Sequence, residues 1–144
     1  MFRGNHPTRV DEKGRLKIPA EFKGRVDEIY GNHFYITSKD GKRAEIYPLK
    51  EWEKIEEKLA QIPSMNAAKQ KFLDITSYYG QMADMDAQGR LLLPQLLRET
   101  AKVTAEVVVF GKQTYLEVVN HEAFKAQLAP LTDEEQRALS EFGL

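Results

Sequence analysis

The sequence predicts a mainly β protein with helices, of the α+β class, in which one structural unit occurs twice. The skeleton apolar-Asp-x-x-Gly-Arg-Leu-x-apolar-Pro stands at residues 10–19 and again at residues 85–94. A skeleton that recurs in one chain indicates a duplicated supersecondary unit. Each occurrence is followed by two β-rich runs around a turn and then by a helical pattern, so the order turn, strand, short helix, hairpin and helix is expected twice.

The composition fits a small folded protein and leaves its partner open. The chain has 144 residues, of which 42% are hydrophobic and 30% charged, enough for the core of one or two small domains. With 21 basic and 22 acidic residues the net charge is −1, so overall charge neither favours nor excludes a nucleic-acid partner. The chain contains no cysteine, no apolar run long enough for a membrane span and no apolar signal region at its start, so we expect a cytoplasmic protein.

The recurring skeleton is typical of a tight turn that leads into a strand. The carboxylates of Asp11 and Asp86 can accept hydrogen bonds from backbone N–H groups just after them, which closes an Asx-type turn. Gly14 and Gly89 supply the positive φ that such a turn often needs. In the first repeat, Leu16 and Ile18 alternate with Arg15 and Lys17, the period of a half-buried strand, and in each repeat a proline ends the strand.

The remaining elements of the first repeat follow from periodicity and turn residues. Leu49, Trp52, Ile55 and Leu59 fall on one face of a helix that begins after Pro48. In chain order we expect a short strand around Phe2, a single helical turn at 20–23, a strand at 34–37, a type I′ hairpin turn at 39–42, a returning strand at 44–47 and this helix.

A further helix, capped by Asn66 and carrying Ala68, Phe72, Ile75 and Tyr79 on one face, has no expected counterpart later in the chain. We therefore interpret it as the connection between the repeats. The second repeat is expected to contain a helix at 95–101, a strand at 106–110, a turn at 111–112, a strand at 114–119 and a helix capped by Asn120. The tail opens on a capping-box pattern from Thr132 to Glu135. The expected domain limits are 1–62 for the first repeat, 63–81 for the connecting helix, 82–129 for the second repeat and 130–144 for the acidic tail.

The two skeletons, the opening Phe2-Arg3-Gly4 and the stretch Tyr47-Pro48-Leu49-Lys50-Glu51-Trp52 together closely resemble the MraZ family. These proteins are bacterial transcriptional regulators built from two tandem SpoVT-AbrB domains, and the resemblance extends from Met1 to about Leu128. It implies a swapped-hairpin β-barrel of the AbrB type, in which the two repeats interlock as a pseudo-dimer within one chain. It also implies a closed homo-oligomeric ring that binds short direct repeats in double-stranded promoter DNA, ahead of the division and cell-wall gene cluster.

The resemblance maps the family's Asp-x-x-x-Arg positions onto Asp11 with Arg15 and onto Asp86 with Arg90. In the simplest alternative each arginine only pairs with its aspartate, but an exposed pair contributes only about 0–1 kcal/mol. In the functional interpretation the aspartate orients a guanidinium whose planar fork can bind phosphate or the O6 and N7 atoms of guanine. The other predicted DNA contacts are basic residues that would bind phosphate: Lys13, Lys17, Arg3 and Arg9.

Charge distinguishes the two repeats. The window 9–25 holds six basic and three acidic residues, whereas the equivalent window 84–100 holds two basic and three acidic ones. Lys13 corresponds to Gln88, and Lys17 corresponds to Leu92. We therefore expect the first repeat to supply most of the affinity for phosphate.

Other functions are less well supported. An AbrB-like antitoxin or transition regulator would carry one repeat per chain, and a purely structural assembly protein would bind no DNA. The sequence has no glycine-rich phosphate loop, nucleophile elbow or zinc-ligand spacing, so we expect no enzyme, catalytic residue, metal, cofactor or small-molecule substrate. The expected location is the cytoplasm, in association with the nucleoid and not with a membrane.

Overall fold

In a computed structural model, which describes residues 1–144, one antiparallel sheet of eight strands curls into a nearly closed barrel. The strands are β1 (Asn5–Val10), β2 (Arg15–Lys17), β3 (His33–Thr37), β4 (Ala44–Pro48), β5 (Gln81–Asp84), β6 (Arg90–Leu92), β7 (Ala105–Lys112) and β8 (Tyr115–Asn120). The helices are α1 (Ala20–Ile29), α2 (Leu49–Ala60), α3 (Ala67–Tyr78), α4 (Gln95–Thr100), α5 (His121–Gln127) and α6 (Asp133–Ser140). The predicted fold class is confirmed.

The strand order shows that the two repeats interlock. The order is β5-β3-β4-β8-β7-β1-β2-β6, so the first repeat's β3 pairs with the second repeat's β5, and the second repeat's β7 pairs with the first repeat's β1. When each strand is replaced by its equivalent in the other repeat, the same cyclic strand order results, read in the opposite direction. This relation is expected for two repeats related by a pseudo-twofold axis. The N–H of Asp86 donates to the carbonyl of Arg90 at 2.9 Å and joins β5 to β6, where the barrel comes close to closing.

The core lies inside the barrel and takes equivalent residues from both repeats. Leu16 of β2 and Leu91 of β6 are directly paired, and both are fully buried. The two short helices that follow the prolines close the core, with Phe22 and Val26 from α1 and Leu97 from α4. No helix is both long enough and apolar enough to cross a membrane.

Helix α1 is longer than the single turn that the sequence predicts, and that prediction is wrong. It runs for ten residues because Phe22 and Val26, four residues apart, are both buried against the barrel. Gly24 between them weakens the helical signal, but tertiary packing outweighs its low propensity.

Three other predictions are wrong in detail. Gly41 alone has positive φ between β3 and β4, so this longer connection is not a type I′ turn, which needs two such residues. Gly111 is part of β7, and the turn falls at Gln113 and Thr114. A side chain at Gly111 would collide with the backbone of Arg3, so this glycine permits a close approach of the N-terminus. Phe2 makes only an isolated bridge to Gln113.

The helices α2 and α3 pack together over one side of the barrel. Trp52 of α2 stacks on Tyr35 at 4.8 Å and on Phe72 of α3 at 6.4 Å between ring centroids. The buried residue of α3 is Thr76, whose carbonyl accepts hydrogen bonds from Tyr35 and from Thr37. Trp52 is therefore a packing residue.

The predicted caps of the later helices are confirmed. Asn66 accepts a hydrogen bond from the N–H of Lys69, and Asn120 accepts one from the N–H of Ala123. Thr132 and Glu135 form the capping box of α6. Helix α6 follows α5 in chain order as α3 follows α2, but α6 buries none of its residues, whereas α3 packs against α2 and the barrel.

Candidate nucleic-acid interface

The two recurring skeletons fold into two loops of nearly identical geometry, which we call loop 1 (residues 11–15) and loop 2 (residues 86–90). In loop 1, Oδ1 of Asp11 accepts from the N–H of Lys13 at 3.0 Å and from that of Arg15 at 2.8 Å. In loop 2, Oδ1 of Asp86 accepts from the N–H groups of Gln88 and Arg90, both at 2.9 Å. Both aspartates therefore close their turns as the sequence predicts.

The same carboxylates hold the arginine side chains. Nε of Arg15 donates to Oδ2 of Asp11 at 2.7 Å, and Nε of Arg90 donates to Oδ2 of Asp86 at 2.9 Å. The terminal nitrogens of both guanidinium groups make no hydrogen bond within the chain. Each arginine is thus fixed through one edge of its guanidinium and keeps donors free for an acceptor from outside.

The backbone N–H of Arg15 is the main reason that the pKa of Asp11 lies below its ordinary value, and the Arg15 side chain lowers it further. The N–H and side chain of Arg90 lower the pKa of Asp86 in the same way. Both carboxylates are therefore ionised at neutral pH, and each can orient its arginine.

The backbone conformation of each loop requires a glycine. Gly14 has φ of +86° and Gly89 has φ of +77°, a region that residues with a side chain rarely adopt. The N–H of each glycine donates to the carbonyl of its loop's aspartate, at 2.9 Å in loop 1 and 3.0 Å in loop 2.

The pairing of β2 with β6 brings the two loops together on one surface. Ile18 donates its N–H to the carbonyl of Gly89, and Leu93 donates its N–H to the carbonyl of Gly14, each at 2.9 Å. Arg15 and Lys17 lie on the outer face of β2, opposite Leu92 and Arg90 of β6. The structure thus combines cationic groups that are 75 residues apart in the sequence.

Two cationic residues of this surface were missed by the sequence prediction. The guanidinium of Arg98 in α4 lies over Gly14, and the side chain of Lys23 in α1 lies over Gly89. Each repeat therefore covers the loop of the other with a basic side chain. The sequence did contain a pattern that could have indicated them, since Lys23 and Arg98 are 75 residues apart like the two arginines of the loops. Only the interlocked fold shows that they reach the loops.

The other predicted contacts occupy different places. Lys13 is exposed at the tip of loop 1. Arg9 precedes the loop in β1 and forms an exposed ion pair with Glu106 at 3.1 Å. Arg3 lies beyond the far end of β1, a strand of six residues that is roughly 20 Å long at about 3.3 Å per residue. The structure therefore does not bring Arg3 to the loops.

The surroundings of the loops differ between the repeats. At the position equivalent to the Arg9–Glu106 pair, the second repeat has Asp84, which pairs with His33 at 2.7 Å. Loop 2 therefore has an acidic strand residue beside it where loop 1 has a basic one. This difference agrees in direction with the charge asymmetry in the sequence.

Comparison with known proteins gives consistent matches over the whole chain. The model of the MraZ protein family, described as antitoxin-like, matches residues 1–75 and again residues 81–142. A protein of Acidobacterium capsulatum is 73% identical, and one of Koribacter versatilis is 50% identical, each over the full length of both chains. A protein of Thiobacillus denitrificans is 33% identical over 96% of this chain and 94% of its own. All three relatives carry the name transcriptional regulator MraZ.

Proposed function

Because the chain belongs to the MraZ family of transcriptional regulators, we propose that it binds promoter DNA sequence-specifically and recognises short direct repeats. The proposed target is the promoter of the division and cell-wall gene cluster, and the proposed location is the cytoplasm, in association with the nucleoid. The proposal is of a binding protein without catalytic activity.

The observation that carries the proposal is the pair of guanidinium groups held by aspartates on adjacent loops. Arg15 and Arg90 keep their terminal nitrogens free, and their side chains are 31% and 26% exposed. A guanidinium that is fixed at Nε loses little further rotamer freedom when it binds a base edge or a phosphate. This geometry suits direct reading of guanine in the major groove, where O6 and N7 accept two parallel hydrogen bonds.

The remaining basic residues suit phosphate contacts, which provide affinity and register but carry no sequence information. Lys13 and Lys17 are exposed beside Arg15 and are proposed to bind the backbone of the same DNA segment. Arg9 would exchange its ion pair with Glu106 for a phosphate. Arg3 is proposed to contact only DNA that extends past the far end of β1. Lys23 and Arg98 join this set because each lies over a loop glycine.

We further propose that the chain assembles into a closed homo-oligomeric ring. Several large apolar side chains outside the barrel are exposed, including Met65 at 93% and Tyr78 at 69%. Packing between neighbouring chains would remove such side chains from water. A ring would present many loop pairs to successive direct repeats, so weak single contacts would combine into useful affinity. Within each chain we propose the limits 1–62 and 82–129 for the two repeats, joined by residues 63–81 and followed by the tail 130–144.

Selection of bound sequences from random double-stranded DNA tests the proposal directly. We expect enrichment of a short motif in direct repeats, and the same motif should occur in the promoter ahead of the division genes. The double variant Arg15→Ala with Arg90→Ala is the control and should enrich nothing. If the unaltered protein also enriches no motif at low salt, the proposal fails and a purely structural assembly protein becomes the better interpretation.

A further inference from the structure

Helix α6 stands apart from the rest of the chain. All of its hydrogen bonds lie within residues 132–144, it forms no salt bridge, and every residue of the helix except the half-buried Leu139 is exposed. An isolated helix of eight residues is marginal in water, because most helices gain their stability by packing an amphipathic face. The capping box stabilises the start of the helix but does not replace the missing packing.

The sequence of α6 and its flanks forms such a face. Ala138 and Leu139 lie on one side of α6, and Phe142, in the turn that follows the helix, continues this side at a spacing of four and three residues; Leu131 adds an apolar residue just before the N-cap Thr132. Leu131 is 55% exposed and Phe142 is 80% exposed, so this side has no partner within the chain. The other sides carry Asp133, Glu134 and Glu141 against the single cation Arg137, while Glu135, which belongs to the capping box, lies on the apolar side near the start of the helix.

A complementary groove runs along α3. It has a volume of about 240 Å³ and is lined by Ala68, Phe72 and Ile75, with Lys39 and Lys71 at its margin and Thr76 at its base. The three apolar residues are spaced by four and three, so they form a stripe along the helix. Lys71 makes no ion pair in the chain, whereas Lys39 is paired with Glu45 at 3.2 Å. The groove is therefore apolar at its centre and basic at its edge.

We propose that α6 of one chain docks into the α3 groove of a second chain. The apolar stripe of α6 would cover Ala68, Phe72 and Ile75, and its acidic residues would lie near the lysines. Each chain supplies one helix and one groove, so it can give its helix to one neighbour and receive a helix from another; such heterologous contacts generate rings when the rotation closes. This inference rests on the ring assembly proposed above and names the segment that links one chain to the next.

Disulfide trapping tests the contact, because the natural chain has no cysteine. One chain carries Ala68→Cys in the groove and a differently tagged chain carries Ala138→Cys on α6; both alanines are exposed. Mixed and oxidised at micromolar concentration, the two variants should form a heterodimer linked between chains. The matched control pairs Ala68→Cys with Ala126→Cys, an exposed residue of α5, and should give no such product.

The outcomes separate this inference from the ring itself. A disulfide that forms within a single chain carrying both Ala68→Cys and Ala138→Cys, even at high dilution, would show that α6 folds back on its own chain and would overturn the proposal. If light scattering finds an oligomer but no disulfide forms between chains, the ring stands and the contact is wrong. If the unaltered protein is a monomer, both proposals fail.

A second pair of variants keeps the test independent of cysteine chemistry. Phe142→Asp places a charge on the apolar stripe, and we expect the dissociation constant for assembly to rise about tenfold or more, as for loss of an interface contact worth over 1 kcal/mol. Ser140→Asp adds the same charge on the opposite side of α6 and should leave assembly unchanged. Equal effects of the two variants would contradict docking through this stripe.

Discussion

Arg15 and Arg90 are held alike, so any difference between them must come from their neighbours. Their Nε atoms lie 2.7 Å and 2.9 Å from the aspartate oxygens, and both side chains are about equally exposed. Lys13 and Lys17 of the first repeat correspond to Gln88 and Leu92 of the second. Geometry alone therefore predicts two equal contacts, whereas charge predicts that Arg15 contributes more.

We expect Arg15→Ala to abolish most DNA binding and Arg90→Ala to cost clearly less affinity. Loss of a bidentate base contact costs about 1–3 kcal/mol, and loop 1 also supplies the phosphate contacts that hold the same DNA segment. Both variants should keep their oligomeric state, because neither arginine is in the core. Titrations of both on one promoter fragment at one salt concentration measure the difference.

Lys13→Ala provides the comparison within loop 1. As a phosphate contact, Lys13 should affect binding to specific and unrelated DNA about equally. If Arg90→Ala is as damaging as Arg15→Ala while assembly persists, the two loops bind as equals and the argument from charge is wrong.

The loop glycines give a prediction about stability. Gly14→Ala forces a side chain into a backbone with φ of +86° and into the space of the Arg98 guanidinium, so it should lower the free energy of unfolding by about 1–3 kcal/mol. Gly24→Ala is the matched control, because that helical glycine has open space around it and alanine should stabilise α1 by about 0.5–1 kcal/mol. Urea unfolding measures both, and a neutral Gly14→Ala would contradict the strain argument.

At the scale of elements, the sequence predicts a feature correctly wherever that feature depends on residues close together in the chain. The Asx turns, the positive φ of Gly14 and the helix caps depend on residues only a few positions apart, and they were predicted correctly. The length of α1 was missed because Phe22 and Val26 are buried against distant strands, which no local pattern reports. The place of Arg98 over Gly14 was missed for the same reason, since it depends on the exchange of strands between the repeats.

The pair of strands β4 and β8 buries two carboxylates that the sequence did not single out. Glu45 and Glu117 are directly opposite in register and only 4% and 6% exposed. Lys39 neutralises the first at 3.2 Å and Arg43 the second at 2.6 Å. Oε1 of Glu45 has no hydrogen-bond partner, and burial raises the pKa of this carboxyl above its ordinary value.

Glu45 therefore makes folding sensitive to pH in a defined direction. Above its ordinary pKa of 4.5 and below its raised value in the folded chain, the unfolded chain releases a proton that the folded chain keeps. The free energy of unfolding contributed by this group thus falls as pH rises through that window. Glu45→Gln should remove this fall, and urea unfolding at several pH values measures it.

The control for this prediction is Glu141→Gln, which changes an exposed carboxyl in the tail and should leave the pH profile as it is. Asp11 and Asp86 act in the opposite direction, because their lowered pKa values make stability fall only as the pH drops below about 4. A profile of Glu45→Gln that matches the unaltered protein above pH 4.5 would show that Glu45 ionises normally.

At the scale of the whole molecule, the pseudo-twofold arrangement places loops 1 and 2 side by side. The reciprocal hydrogen bonds of Ile18 and Leu93 to the loop glycines fix the loops relative to each other, so one chain presents two guanidinium groups as one rigid unit. The duplication was visible in the sequence. The family resemblance implied that the two repeats interlock, but the pairing of β2 with β6 was not predicted, because strand exchange involves contacts between residues some 75 positions apart.

A ring of such units should bind tandem repeats with a steep dependence on salt. On duplex DNA the logarithm of the binding constant falls by about 0.9 per phosphate contact for each tenfold rise in salt, and every loop pair that is engaged adds its own contacts. Affinity for a promoter with several repeats should therefore drop by orders of magnitude between low and moderate salt. A fragment with one repeat should bind far more weakly and with a shallower slope, because only one loop pair is engaged. Titrations of both fragments across a salt series measure the two slopes. If the slopes and affinities are equal, the chain uses a single binding unit, and the argument from multivalency fails even if the ring exists.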